Sequence, residues 1–155
     1  MTTETASRTL TARTKPKPNE QTGFQVLKLT QSHFKAWEEY SGEDLQQLQS
    51  LFDESQDPLV KGWNAEGLLS EIMLLEGFPL DSRVAELAGM KGNTVRVVTS
   101  EHCAHRLLVC LDRQLKDSTV NAFAFQDADV LVCLDAALTD EAKQRLSDLC
   151  TLKAI

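Results

Sequence analysis

Two aspartates are the first residues with chemical promise. The pentapeptide Leu108-Val109-Cys110-Leu111-Asp112 recurs as Leu131-Val132-Cys133-Leu134-Asp135. Each copy reads as a strand ending in a carboxylate, and neighbouring strand ends bring carboxylates close enough to chelate magnesium. The competing reading is that each aspartate stops a strand by bonding nearby backbone. His102-Cys103-Ala104-His105 is the densest set of zinc-ligand types, but it lacks a CxxC or HxxxH partner, so a turn between two strands accounts for it more simply. Nucleophilic catalysis needs Ser or Cys on a tight turn beside a base, yet there is no GxSxG, and Cys110 and Cys133 fall mid-strand, where burial keeps a thiol inert. A small metal-dependent enzyme using Asp112, Asp135 or the His102–His105 cluster stays as one alternative.

Those groups depend on the elements that carry them. Arg106–Leu111 and Asp129–Leu134 are continuous apolar runs, the pattern of strands covered on both faces, and Thr94–Thr99 alternates like a half-buried strand. Between the two runs, Lys116–Gln126 reads as a helix with Val120, Phe123 and Ala124 on one face, after cap candidates Asp117 and Ser118. Thr139 caps another, with Ala142, Leu146 and Leu149 facing inward, and Thr151–Ile155 reads as a last strand. Upstream, Asn64 caps a helix carrying Leu68, Leu69, Ile72, Met73 and Leu75, stopped by Gly77 and Pro79. Its apolar residues lie on most of its sides, so burial against more than one neighbour is expected. Leu45, Leu48, Leu51 and Phe52 predict a helix between Gly42 and Asp53, and Asp57-Pro58 breaks the chain. Phe24, Val26, Leu27 and Leu29 predict a short strand, and Thr30–Trp37 a turn or short helix. The expected fold is α/β, with an N-terminal strand and helices packed on a small, mostly parallel β-α-β-α-β sheet.

Composition narrows the function classes. The 155 residues are 42% hydrophobic and 25% charged, as in one soluble globular domain, placed at 23–155. Residues 1–22 are rich in Thr, Lys and Pro and predict a disordered basic tail of net +2, read as an arm or, more simply, as a linker to an upstream domain. The rest of the chain then carries −9 of the total −7, a poor generic match to phosphate, since non-specific nucleic-acid affinity comes mainly from Lys and Arg. All seven glycines lie at or before Gly92, so the parallel unit has no glycine turn to cradle a nucleotide. The four cysteines have no CxxC spacing and read as reduced thiols in a cytoplasm, and no apolar run is long enough to span a membrane.

The segment Thr22-Gly-Phe-Gln-Val-Leu-Lys-Leu-Thr-Gln-Ser-His-Phe-Lys-Ala-Trp37 resembles the opening of the C-terminal region of the methylating (Mod) subunit of type III restriction-modification systems. Gly23, Phe24, Val26, Lys28, Leu29, Ser32, Phe34, Lys35 and Trp37 match that pattern, while Gln25, Leu27 and His33 depart from it. Leu68–Asp81, then Gly92-Asn93-Thr94-Val95, then the Leu-x-x-Cys-Leu-Asp strand follow in similar order, and Ala136–Glu141 depart from the polar run usual in the family.

The resemblance implies adenine-specific DNA methylation by a larger parent enzyme. Such enzymes use an Asp-Pro-Pro-Tyr loop for the flipped base and a Phe-x-Gly-x-Gly turn for S-adenosylmethionine. This chain has only Asp57-Pro58-Leu59-Val60 and no such glycine turn, so it is expected to bind no cofactor and to be inactive alone. The resemblance points to a non-catalytic module that joins Mod copies or the restriction subunit, can pair with itself, and touches DNA weakly or through the parent complex. Phe24, Leu27, Phe34 and Trp37 are candidate apolar contacts, or this domain's own core, and Lys28 and Lys35 are candidate phosphate contacts. A stand-alone regulator competing with full-length Mod is the other alternative. A catalytic Mod fragment encoded immediately upstream would favour the module, and an intact system elsewhere the competitor.

Overall fold

The structure, a computed structural model, describes residues 26, 28–36 and 57–155. The chain divides into two units, Met1–Thr30 and Gln31–Ile155. In the first, Val26, Lys28, Leu29 and Thr30 are described; none is in a helix or strand, and Val26 and Leu29 are exposed. The strand expected over Phe24–Leu29 is therefore absent at these positions, because an alternating segment becomes a strand only beside a hydrogen-bonding partner. The helix expected between Gly42 and Asp53 lies outside the described residues, as do Phe24, Leu27 and Trp37.

The second unit is α/β. Helix α1 (Ala65–Leu75) precedes strands β1 (Arg83–Glu86), β2 (Arg96–Thr99) and β3 (Leu107–Cys110). Helix α2 (Asp117–Ala122), β4 (Val130–Cys133), a 3-10 turn (Asp135–Ala137), helix α3 (Asp140–Ser147) and β5 (Thr151–Ala154) complete it. The five strands lie in sequence order. The sheet is mixed rather than mostly parallel: β1/β2 and β2/β3 pair antiparallel, β3/β4 and β4/β5 parallel. Connection length explains the division, since short links return the chain antiparallel, whereas parallel neighbours need a crossover, supplied here by α2 and α3.

Strand alternation sorts the core into two clusters. Leu107 and Val109 of β3, Val130 and Val132 of β4 and Val98 pack with Leu68, Leu69, Ile72 and Met73 of α1. On the other face Leu108, Cys110, Leu131 and Cys133 pack with Val120 of α2 and Ala142 and Leu146 of α3. Every residue of β3 and β4 is buried, as their unbroken apolar runs predict.

Local signals placed the helix ends. The Asn64 side chain accepts from Gly67 N–H at 2.7 Å, capping α1. At its other end Gly77 (φ 79°) takes the left-handed conformation, with Gly77 N–H donating to Leu74 O and Phe78 N–H to Met73 O. Thr139 caps α3 by accepting from Ala142 N–H.

Other local expectations need correction. Helix α1 has more than one neighbour, the sheet and the Ser32–Phe34 segment, but its last turn is uncovered, with Leu74 and Leu75 exposed. Helix α2 stops at Ala122; Phe123 is extended, which lets its ring stack on Phe125 at 4.9 Å. Leu149 is exposed because α3 ends at Ser147, before the next inward position. Thr30–Ala36 contains no helix; Phe34 forms an antiparallel bridge with Leu59. Strand β1 went unpredicted because Arg-Val-Ala-Glu is exposed throughout and carries no periodic apolar signal.

Candidate functional site

The carboxyl edge of the parallel strands, where open α/β sheets usually bind ligands, is closed by the chain's own connections. Asp112, just beyond β3, accepts from Asn93 Nδ2 at 2.8 Å and from Thr94 N–H at 2.9 Å. Asn93 is buried and uses its whole amide. Its Nδ2 also donates to Gln114 O at 2.7 Å, and its Oδ1 accepts from Lys116 N–H at 2.9 Å and Thr119 Oγ1 at 2.8 Å. One side chain thus joins the segment before β2 to the loop after β3 and to the start of α2. Asp117 and Ser118 do not cap that helix, because both lie inside its first turn and the N-cap residue is Lys116, whose side chain has no acceptor.

Asp135 is held differently. Its carboxylate lies 2.8 Å from Lys143 Nζ of α3, and its N–H donates to Ile155 O at 2.7 Å. Leu115 N–H donates to Ala137 O, tying the loop after β3 to the 3-10 turn. Asp112 and Asp135 are therefore engaged separately, and among the described residues no three His, Cys, Asp or Glu side chains converge as a metal site.

The His102–His105 segment is the turn between β2 and β3, with Cys103 Sγ 3.8 Å from Gly77 O and the His105 ring edge-on to Phe78 at 5.3 Å. Cys110 and Cys133 are register partners at the ends of β3 and β4, both buried. The hydrogen bond with Cys110, together with burial, pushes the Cys133 thiol far up, and burial pushes Cys150 up to about 11. Cys133 and Cys150 thus stay protonated at neutral pH, unlike a nucleophilic thiolate.

Of the candidate contacts, Lys28 and Lys35 are exposed. Phe34 is partly buried and packs against the α1-side core, so the core role fits it better than a contact role. Its segment is clipped to α1 by a polar knot. Glu71 Oε2 accepts from His33 N–H at 2.8 Å and lies 3.0 Å from His33 Nδ1, while Glu71 Oε1 accepts from Ser32 Oγ. The other ring nitrogen, Nε2, is 3.0 Å from Asn64 Nδ2. An amide nitrogen only donates, so Nε2 accepts and Nδ1 carries the proton toward Glu71. Burial alone would raise the Glu71 carboxyl, but the hydrogen bonds from Ser32 and His33 outweigh it and hold it below its usual range. Ser32 points to the carboxylate and not to the imidazole, so these residues lack the nucleophile-to-base geometry of a catalytic triad.

Three features escaped the sequence reading. Asn93 appeared there only as part of a matching tetrapeptide. Arg106, at the start of β3, holds buried Asp129, at the start of β4, through Nε at 3.1 Å and Nη2 at 2.5 Å, and Gln126 N–H donates to the same carboxylate at 2.7 Å. Burial pushes the Asp129 carboxyl up, but the Arg106 and Gln126 hydrogen bonds lower it further still. Each strand run is preceded by one charged residue, Arg106 and Asp129, which in retrospect is the only sequence trace of the pair. The third feature is an open cleft of about 480 Å³ lined by Asp81–Arg83 and Thr99–His102.

No family model, curated protein or solved structure matches this chain.

Proposed function

We propose that this chain is a non-catalytic C-terminal module of an adenine-specific DNA methyltransferase of a type III restriction-modification system, acting in the cytoplasm in subunit assembly and in seating the complex on DNA. The resemblance of residues 22–37, and of the motif order that follows, supplies the family. The observation that carries the non-catalytic part is how the carboxyl edge is spent: Asp112 holds Asn93 and Thr94, and Asp135 holds Lys143. Carboxylates so engaged tie loops together instead of meeting a substrate.

The acidic body favours protein partners over phosphate, and exposed Lys28 and Lys35 are the basic groups offered for contact with DNA held by the parent complex. The partners are Mod copies, the restriction subunit, or a second copy of this chain. S-adenosylmethionine belongs to the parent enzyme. No helix among the described residues is long and apolar enough to cross a membrane.

The test mixes the purified chain with the Mod and restriction subunits of a type III system and measures co-elution by size exclusion with light scattering. Methyl transfer to adenine is assayed on the chain alone. Co-elution with either subunit and no transfer are expected. Measurable transfer, or failure to associate with both subunits, would overturn the reading.

A further inference from the structure

The repeated Leu-Val-Cys-Leu-Asp pentapeptide does more than build two buried strands. Strands β3 and β4 pair Leu108 with Leu131 and Val109 with Val132, so the two copies align residue for residue and Cys110 falls directly beside Cys133. Register partners on neighbouring strands lie about 4.8 Å apart at Cα, inside the span of roughly 4.4–6.8 Å that a disulfide bridges. Both side chains enter the core on the α2–α3 face, and their thiols share a hydrogen bond. Neither of the other two cysteines can take this place. Cys103 sits in the turn at the opposite end of β3, against Gly77 O. Cys150 donates to Leu146 O and precedes Thr151, whose partner Val130 is three residues before Cys133.

The two thiols are not equivalent. The hydrogen bond from Cys133 lowers Cys110 below its ordinary value against the effect of burial, and Asp112 N–H adds a second donor, whereas Cys133 is pushed far up. A sulfur that favours the thiolate thus lies against a protonated neighbour, the arrangement of an attacking and a resolving cysteine. Both are buried, but each is the last residue of its strand, directly beneath the loops of the carboxyl edge. Those loops are held by Asn93 and by Leu115 N–H donating to Ala137 O. Local opening of that edge exposes the pair without unfolding the sheet.

We propose that Cys110 and Cys133 form a dithiol that hydroperoxides convert to a disulfide, reached through the carboxyl edge that Asn93 holds shut. The Cys110 sulfur attacks a peroxide oxygen: the S–O bond forms as the O–O bond breaks, and the leaving oxygen takes up the proton that Cys110 gave up and departs as water or an alcohol. The Cys133 sulfur then attacks the sulfenic sulfur of Cys110. The S–S bond forms, the S–O bond breaks, and the released hydroxide leaves as water with the Cys133 proton. Each sulfur loses one electron and the peroxide gains two. The assignment is independent of the assembly reading, since it needs no partner subunit and none of the candidate contact residues.

The test adds hydrogen peroxide to the full native chain, quenches with an alkylating agent in urea, and maps the products by mass spectrometry. Cys110 and Cys133 should be lost to alkylation together, appear as one linked peptide pair, and be recovered by dithiothreitol. Cys133→Ala should stop Cys110 at the sulfenic acid, trapped by dimedone. Asn93→Ala should speed the linkage about tenfold or more, because it opens the edge above the pair. Asp129→Asn, which weakens the opposite end of the same two strands, should speed it less. Links that join other cysteines in place of this pair, thiols that react only once the chain is unfolded in urea, or acceleration by Asp129→Asn as large as by Asn93→Ala would overturn the assignment.

Discussion

Asn93→Ala should open the carboxyl edge at a measurable cost. The amide makes four hydrogen bonds of 2.7–2.9 Å, and its partners differ in what they lose. The Thr119 hydroxyl is fully buried, so losing its acceptor leaves a desolvated donor, at about 1–3 kcal/mol. Gln114 and Lys116 are exposed, and their backbone groups can return to water at roughly 0.5–1 kcal/mol each. Asp112 keeps Thr94 N–H and loses one of its two donors. The total is about 3 kcal/mol, which at a urea slope of ~2 kcal/mol/M lowers the unfolding midpoint by about 1.5 M with the slope unchanged. Asn93→Asp keeps the oxygen that serves Lys116 and Thr119 but turns a second carboxylate oxygen toward Asp112, so at neutral pH it should be at least as damaging. Exchanging the two groups, Asn93→Asp with Asp112→Asn, should not restore the tie, because Thr94 N–H shares the Asp112 oxygen that Asn93 uses and would then face an amide NH2. A cost below about 1 kcal/mol for Asn93→Ala, or an Asn93→Asp variant clearly more stable than Asn93→Ala, would refute the keystone role.

Two further perturbations probe the elements that hold the sheet. Asp129→Asn removes the buried partner of partly buried Arg106 and should cost roughly 2–4 kcal/mol at pH 7. The folded Asp129 carboxyl is lowered, so the pair's contribution is complete above the unfolded carboxylate value of about 3.9 and fades as pH falls through the lower folded value. Urea midpoints should therefore differ by a constant amount from about pH 7 to 5 and converge below about pH 4; convergence already at pH 6 would contradict the pairing. Gly67→Ala tests the His33 clip, because a Cβ at position 67 would lie 2.5 Å from His33 Cε1 and 2.7 Å from Nε2, on a ring held at both nitrogens. It should destabilise the native chain yet stabilise a His33→Ala background by up to ~1 kcal/mol through helix propensity, so thermal shifts of the same sign in both backgrounds would refute the contact.

The split between legible and hidden features follows the range of the interactions. Asn64, Thr139 and Gly77 announce helix ends because each acts on backbone within a few residues of itself. The runs 107–111 and 130–134 announce buried strands because a strand covered on both faces needs apolar residues at every position. Asp112 and Asp135 were singled out correctly as strand-end carboxylates, but their partners were not legible: Asn93 lies 19 residues before Asp112, and only the fold brings them together.

Register and pairing are likewise tertiary decisions. Strand β1 exists because β2 offers it hydrogen bonds, not because Arg-Val-Ala-Glu favours a strand, and the mixed sheet follows from which links were long enough for a crossover. The Arg106–Asp129 pair depends on β3 and β4 lying side by side. By itself the sequence determined the α/β class, most helix and strand centres and the acidic body, since these depend on composition and short-range order. Tertiary structure alone decided which polar groups meet, and so gave two candidate magnesium-binding aspartates partners within the chain: hydrogen bonds act over about 3 Å of space whatever their separation along the chain.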